Sequence, residues 1–195
     1  MLALREPGGT AIGEQIRSLL LDPRHRELDA RTEMLLFAAS RAQLVAEVIR
    51  PALSRGAVVV CDRYVDASLA YQGIGRGLGV DVVRAVNAAG TGGLLPDLTL
   101  LLDIEPTVGL ARARGASGGP GRRDGWGGGD RLEREALAFH ERVREGFLAL
   151  AGNDPRRIRV IDAGGSVDDV RREIWRAVGD FLGSARQGPE GRDLP

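Results

Sequence analysis

The apolar positions of this 195-residue chain fall into two alternating rhythms, short solid runs and longer stripes at helical spacing. Residues 1–4 form a first run, cut off by Pro7, Gly8 and Gly9. Apolar residues 12, 16, 19 and 20 predict a helix over 11–21, ended by Asp22-Pro23. A longer stripe through 35, 38, 42, 45, 49 and 52 predicts one continuous helix over 32–53, with an apolar face that belongs in a core or an interface. Residues 57–61, Ala-Val-Val-Val-Cys, are too short for a helix and apolar on both faces, as in a parallel strand covered on each side.

The same alternation continues. A helix over 64–72, a Gly-broken loop, a helix over 80–89, a second buried strand at 98–102 and a helix over 106–114 follow. Residues 115–129 hold no regular element, because eight of the fifteen are Gly. Asp130 with Glu133 makes a capping box for a helix reaching about 151. Residues 157–163 read as a strand, Ser166 opens an amphipathic helix to about 182, and 183–195 has the composition of a disordered tail. Strands alternating with helices predict an α/β fold, a doubly wound parallel sheet with right-handed crossovers, in one domain over 1–182.

Composition narrows the function. The 27 basic and 27 acidic residues cancel, so no broad nucleic-acid or anionic-membrane surface is expected. All the basic residues are Arg. A single Cys61 excludes an internal disulfide and suits a reducing, cytoplasmic setting, where it acts as a small hydrophobe. No run approaches the ~18 apolar residues of a membrane span. His25 and His140 have no second ligand at metal spacing.

Ligands of such sheets bind beyond the carboxyl ends of the strands, where Asp62-Arg63, Asp103 and Asp162 fall. An Asp at a strand tip can hold Mg²⁺ directly or through water, and a neighbouring Arg can fork onto a phosphate. Alone, the dipeptide reads rather as a surface ion pair at a strand end. Phe37 and Arg41 share a helical face that could stack and edge a planar base, or could be core and snorkelling residues. Tyr64, Ser68, Tyr71 and Gln72 share another face beside Asp62-Arg63. The Gly-rich segment carries Arg122 and Arg123 and is flanked by Arg112, Arg114 and Arg131, so it either delivers charge to phosphates or is a solvated insertion.

Together these segments resemble the thymidylate kinase family. The resemblance rests on REPGGT (5–10), LLFAASRAQ (35–43), IRPAL (49–53), DRYVDASLAYQG (62–73), PDLTLLLD (96–103), the P-x-x-G-L-x-R-x-R-G run (106–115), DRLE (130–133) and VIDA (160–163), in family order over nearly the whole chain. It implies a P-loop nucleoside monophosphate kinase fold and transfer of the γ-phosphoryl of ATP to dTMP, with Mg²⁺. By resemblance, Phe37 stacks on thymine, Arg41 contacts the base, Arg63 binds the dTMP phosphate and Asp62 organises Mg²⁺. Tyr71 crowds the sugar 2′ position, and Ser68 and Gln72 line the same pocket. Glu6, Pro7, Gly8 and Gly9 form the loop near the acceptor phosphate. Arg112, Arg114 and one of Arg122, Arg123 or Arg131 belong to a lid at about 112–131. The family is usually homodimeric through helices that include the one at 32–53.

One departure is large. The family pattern opens with a strand, a G-x-x-x-x-G-K-[ST] loop and a helix ahead of REPGGT, whereas these 195 residues hold no such run and no Lys. The expectation is a truncated member that lacks the central strand and P-loop helix and is inactive by itself. The rival expectation is a non-catalytic dTMP-binding or dimer-forming remnant.

Overall fold

The structure, a computed structural model, describes residues 1–116 and 129–186. Strand β1 (Leu2–Arg5) leads through α1 (Ala11–Leu21), α2 (Ala30–Leu44) and α3 (Arg50–Ser54) to β2 (Val59–Asp62). Then come α4 (Val65–Ser68), α5 (Val80–Thr91), β3 (Thr99–Asp103), α6 (Pro106–Ala116), α7 (Leu137–Asn153), β4 (Ile158–Asp162) and α8 (Val167–Arg186). Thr10 caps α1 by accepting from Gly13 N at 2.9 Å, and Asp29 caps α2 by accepting from Arg31 N and Thr32 N.

The expected helix over 32–53 is not continuous. Pro51 has no N–H to donate, and its ring crowds the carbonyl four residues earlier, so the chain widens into a π-helical turn at Val45–Ile49 before α3. A second π-helical stretch, Leu69–Gly75, continues α4 through the expected 64–72 helix. The stripe itself is buried at Ala38, Val45, Ile49 and Ala52, whereas Leu35 is exposed.

Both strand pairings are parallel, as the α/β pattern predicts. β1 pairs with β2 from Leu2↔Val59 to Arg5↔Asp62, and β3 with β4 from Thr99↔Ile158 to Asp103↔Asp162. Among the described residues the two ladders are separate two-stranded sheets. The expectation of strands covered on both faces fails: Val60 is 53% and Leu102 49% exposed, so each ladder keeps one open face.

Helices cover the other faces. Leu44, Val45 and Ile49 pack on Leu4, Val59 and Cys61, placing α2 and its π-helical turn over the β1–β2 ladder. Burial in this layer pushes the Cys61 thiol up to about 12, with Glu6 and Asp62 adding to the shift and Arg41 opposing it. A second core joins Met34, Leu69, Val83, Phe139 and Val143 across α2, α5, α7 and the Leu69–Gly75 stretch. The close approach depends on Gly146, where an added Cβ would lie 2.8 Å from Ile74 Cδ1.

Two boundaries differ from expectation. Asp130 and Glu133 do form the reciprocal capping bonds, Asp130 N to Glu133 Oε2 at 3.2 Å and Glu133 N to Asp130 Oδ1 at 2.9 Å. They close a single turn, and α7 starts only at Leu137. At the other end α8 runs to Arg186, past the expected 182. Residues 187–195, expected as a tail, lie outside the described residues.

Candidate active site

The β1–β2 register brings the ends of two strands side by side, and Glu6 N extends the ladder by donating to Asp62 O at 2.9 Å. Glu6 and Arg63 therefore leave adjacent strand tips, and between them and α2 lies a cavity of about 250 Å³. Glu6, Pro7, Phe37, Arg41, Asp62, Arg63, Ser68, Tyr71 and Gln72 all line it. Their sequence spacing spans more than sixty positions, so only the parallel crossover brings them together.

At one end sits Arg63. It adopts φ +67, the only positive value among the described non-Gly residues, and its Cζ stands 4.9 Å from the centroid of the Tyr71 ring. A side chain in the left-handed region costs ~1–2 kcal/mol, strain that is stored where a guanidinium has to be aimed. Tyr71 is itself held edge-on by Phe139 and Phe147 at 6.0 and 6.1 Å. Arg5 and Arg17 line the same cavity, and Arg17 Nη1 donates to Pro7 O at 3.0 Å.

At the other end Arg41 is almost fully buried, 1% exposed. Its Nε donates to Glu6 Oε2 at 2.7 Å, its Nη1 to Ser68 Oγ at 3.1 Å and Asn87 Oδ1 at 2.6 Å, and its Nη2 to Tyr64 O at 3.2 Å. All three guanidinium nitrogens thus have protein acceptors. Burial raises the Glu6 pKa, against the charge and hydrogen bond of Arg41. Phe37 belongs to a core cluster with Leu20 and Leu21 and also presents a wall to the cavity.

Other expected site residues are placed differently. Gly8 N donates to Ser40 Oγ at 3.0 Å and Gly9 N to Glu14 Oε1 at 2.9 Å, so neither amide is spare for a phosphate. Arg131 is buried, its Nε donating to Leu20 O at 2.8 Å and its Nη2 to Glu33 Oε2 at 2.5 Å. That guanidinium is committed to acceptors within the protein. Arg112 donates to Ala163 O and Gly164 O, on the loop after β4. Arg114 lies in α6, and Arg122 and Arg123 lie outside the described residues.

Sequence reasoning missed Glu33, Asn87, Arg17 and His140. Glu33 was legible in part, since 33, 37 and 41 repeat at four-residue spacing on one face of α2. Asn87 was the polar residue four after Val83 on the buried face of α5. Among the described residues no group of three or more His, Cys, Asp or Glu could hold a metal, and no helix is long and apolar enough to cross a membrane.

Parallel strands that end beneath one cavity, cationic at one side and flat-walled at the other, place a ligand site where α/β sheets bind nucleotides. The family model for Thymidylate kinase matches residues 1–174, and the chain belongs to the thymidylate kinase family. It is 50% identical to the thymidylate kinase of Syntrophotalea carbinolica over 183 residues, 93% of this chain and 82% of that one. It is 52% identical over 176 residues to that of Deinococcus radiodurans, covering 90% of this chain and 80% of the relative. The Gloeobacter violaceus thymidylate kinase is 49% identical over 178 residues, 91% and 80% of the two chains.

Proposed function

We propose that the cavity binds dTMP and that the family reaction, transfer of the γ-phosphoryl of ATP to the dTMP phosphate oxygen with release of ADP, takes place beside Asp62 and Arg63. The observation that carries the reading is the single cavity that holds the Phe37 wall, the Gln72 amide and Arg63 together. Phe37 stacks on the thymine ring, and Arg41, its own N–H groups spent on protein acceptors, acts on the base only by holding the Ser68 hydroxyl at its rim. Tyr71 crowds the sugar, and Arg63, seconded by Arg17, takes the phosphate. Mg²⁺ supplies charge neutralisation between the phosphates, and the exposed Asp62 carboxylate at the strand tip fits a cation that keeps most of its waters. Neutralisation of the moving phosphoryl group falls to Arg112, Arg114, Arg122 and Arg123 rather than to Arg131.

Because the 195 residues hold no G-x-x-x-x-G-K-[ST] run and no Lys, they do not furnish a backbone cradle for ATP phosphates. We infer that these residues alone bind dTMP without turning it over; the separation of the described strands into two unjoined ladders supports a further strand between them. Pairing of two copies through the exposed Leu35 and Leu53 of α2 and α3, in a cytoplasmic homodimer, completes the reading.

Titration of the pure chain with dTMP, dUMP, dGMP and UMP tests the pocket, with dTMP expected to bind most tightly. Arg63→Ala should weaken dTMP binding ~10–100-fold, the loss of one charge-assisted contact. Arg50 instead caps α5 at Thr91 O and Gly92 O, so Arg50→Ala should leave affinity unchanged. Equal effects would remove Arg63 from its role, and dTDP made from dTMP and ATP by the pure 195-residue chain would refute the inactivity.

A further inference from the structure

Glu33 is fully buried in the first turn of α2. Its Oε1 accepts from Gln72 Nε2 at 2.8 Å and Arg76 Nε at 3.2 Å; its Oε2 accepts from Arg76 Nη2 at 3.0 Å and Arg131 Nη2 at 2.5 Å. Burial works against ionisation, but the hydrogen bonds of Arg76 and Gln72 and the charges of Arg76 and Arg131 outweigh it, and the pKa stays below the ordinary glutamate value. An ionised carboxylate accepts and cannot donate. The Gln72 amide therefore has one way round, with its NH₂ on Glu33 and its carbonyl turned away. Gln72 is 1% exposed and lines the cavity, and with one amide N–H spent on Glu33 the acceptor it has left for a ligand there is Oε1.

We propose that Glu33 is a specificity-positioning residue, which by holding the Gln72 amide nitrogen sets the Gln72 carbonyl oxygen towards the base. A wall that accepts a hydrogen suits a pyrimidine with a ring N–H at position 3, as in thymine. It opposes cytosine, which presents a lone pair at the same place, because two facing acceptors leave both unpaired in a buried site. The proposal rests on the dTMP reading of the cavity. The alternative role for Glu33 is a counter-ion that ties Arg76 and Arg131, and with them residues 129–135, onto α2.

The two roles separate in the ratio of affinities. Titrating the chain with dTMP and dCMP should give a preference for dTMP that falls about tenfold or more in Glu33→Gln, whose amide can offer either end to Gln72. A counter-ion role would lower the melting temperature and both affinities together, and an unchanged dTMP:dCMP ratio in a folded E33Q overturns the proposal. If E33Q does not fold, Glu33→Asp keeps the charge for both arginines but withdraws it from Gln72 by one methylene, and the same ratio decides.

A readout free of nucleotide accompanies these. In ¹⁵N-labelled protein the Gln72 side-chain NH₂, identified by its loss in Gln72→Met, should exchange with water slowly in the parent and rapidly in E33Q or E33D. Exchange in the parent as fast as in exposed glutamines overturns the positioning role. A parent that binds dTMP no better than dCMP while its Gln72 NH₂ is protected would sink the dTMP assignment and leave the Glu33 contact standing.

Discussion

Arg41 donates its Nε–H to Glu6 Oε2 over 2.7 Å with both side chains 2% exposed, joining positions 35 residues apart. An ion pair this deep has lost its hydration, so its worth lies in each charge finding the other. Removing Arg41 alone, as in Arg41→Met, leaves a buried carboxylate, Asn87 and Ser68 without their partner and should cost ~3–5 kcal/mol of stability. The double substitution Glu6→Gln with Arg41→Met should lie closer to the parent than the sum of the two singles, because no charge is then stranded. Urea unfolding of the four proteins checks this; additive losses would mean that the pair acts as two independent residues.

Arg63 lies in the left-handed region, where glycine is at ease and other residues are not. Arg63→Gly should therefore be more stable than Arg63→Ala by about 1 kcal/mol, although glycine is otherwise the more disordered of the two in an unfolded chain. Both should lose dTMP affinity by the same factor, since both lack the guanidinium. Thermal unfolding beside a dTMP titration separates strain from binding. Alanine proving the more stable would show that the backbone there is relaxed.

Acid should weaken the fold with a sign set by two carboxylates. Glu33 and Asp103 both ionise below their ordinary values of 4.5 and 3.8; Asp103 is lowered chiefly by its hydrogen bonds from Arg144. A lowered folded pKa gives stability that is present above the unfolded value and lost as pH falls through the folded one. The melting temperature should hold from neutrality to about pH 5 and decline below it. Glu6 has the opposite sign, because burial raises its pKa and protonation relieves it. Glu6→Gln should therefore steepen the acid decline and Glu33→Gln flatten it, as circular dichroism melts across pH would record. A melting temperature that climbs steadily into acid would contradict the assignment.

Much of this was written locally in the chain. The strand tips were legible because a solid apolar run stops at Asp62-Arg63, and in a parallel sheet that is where ligands bind. Phe37 and Arg41 were legible as a shared face, but what that face touches was not. Partners such as Glu6 and Arg41, 35 residues apart, or Glu33 and Arg131, 98 apart, meet only in the folded chain, and no local spacing encodes them. Arg131 misled for the same reason: beside a Gly-rich run it looks available, while its acceptors come from the other end of the chain. The capping box at Asp130 was real as a hydrogen-bond pair and wrong as the start of a long helix, since two bonds specify one turn and leave the next to packing.

Cys61 sits one residue before Asp62 on β2, opposite Leu4, with its thiol pushed up to about 12. In the closed fold it has almost no thiolate at neutral pH, and alkylating reagents act on thiolate. Cys61 is half-buried, so its low thiolate fraction is what slows modification, and parting of the β1–β2 ladder should raise that fraction. Labelling should therefore quicken whenever the two strands whose tips hold Glu6 and Arg63 part, and a ligand that bridges those tips would slow it.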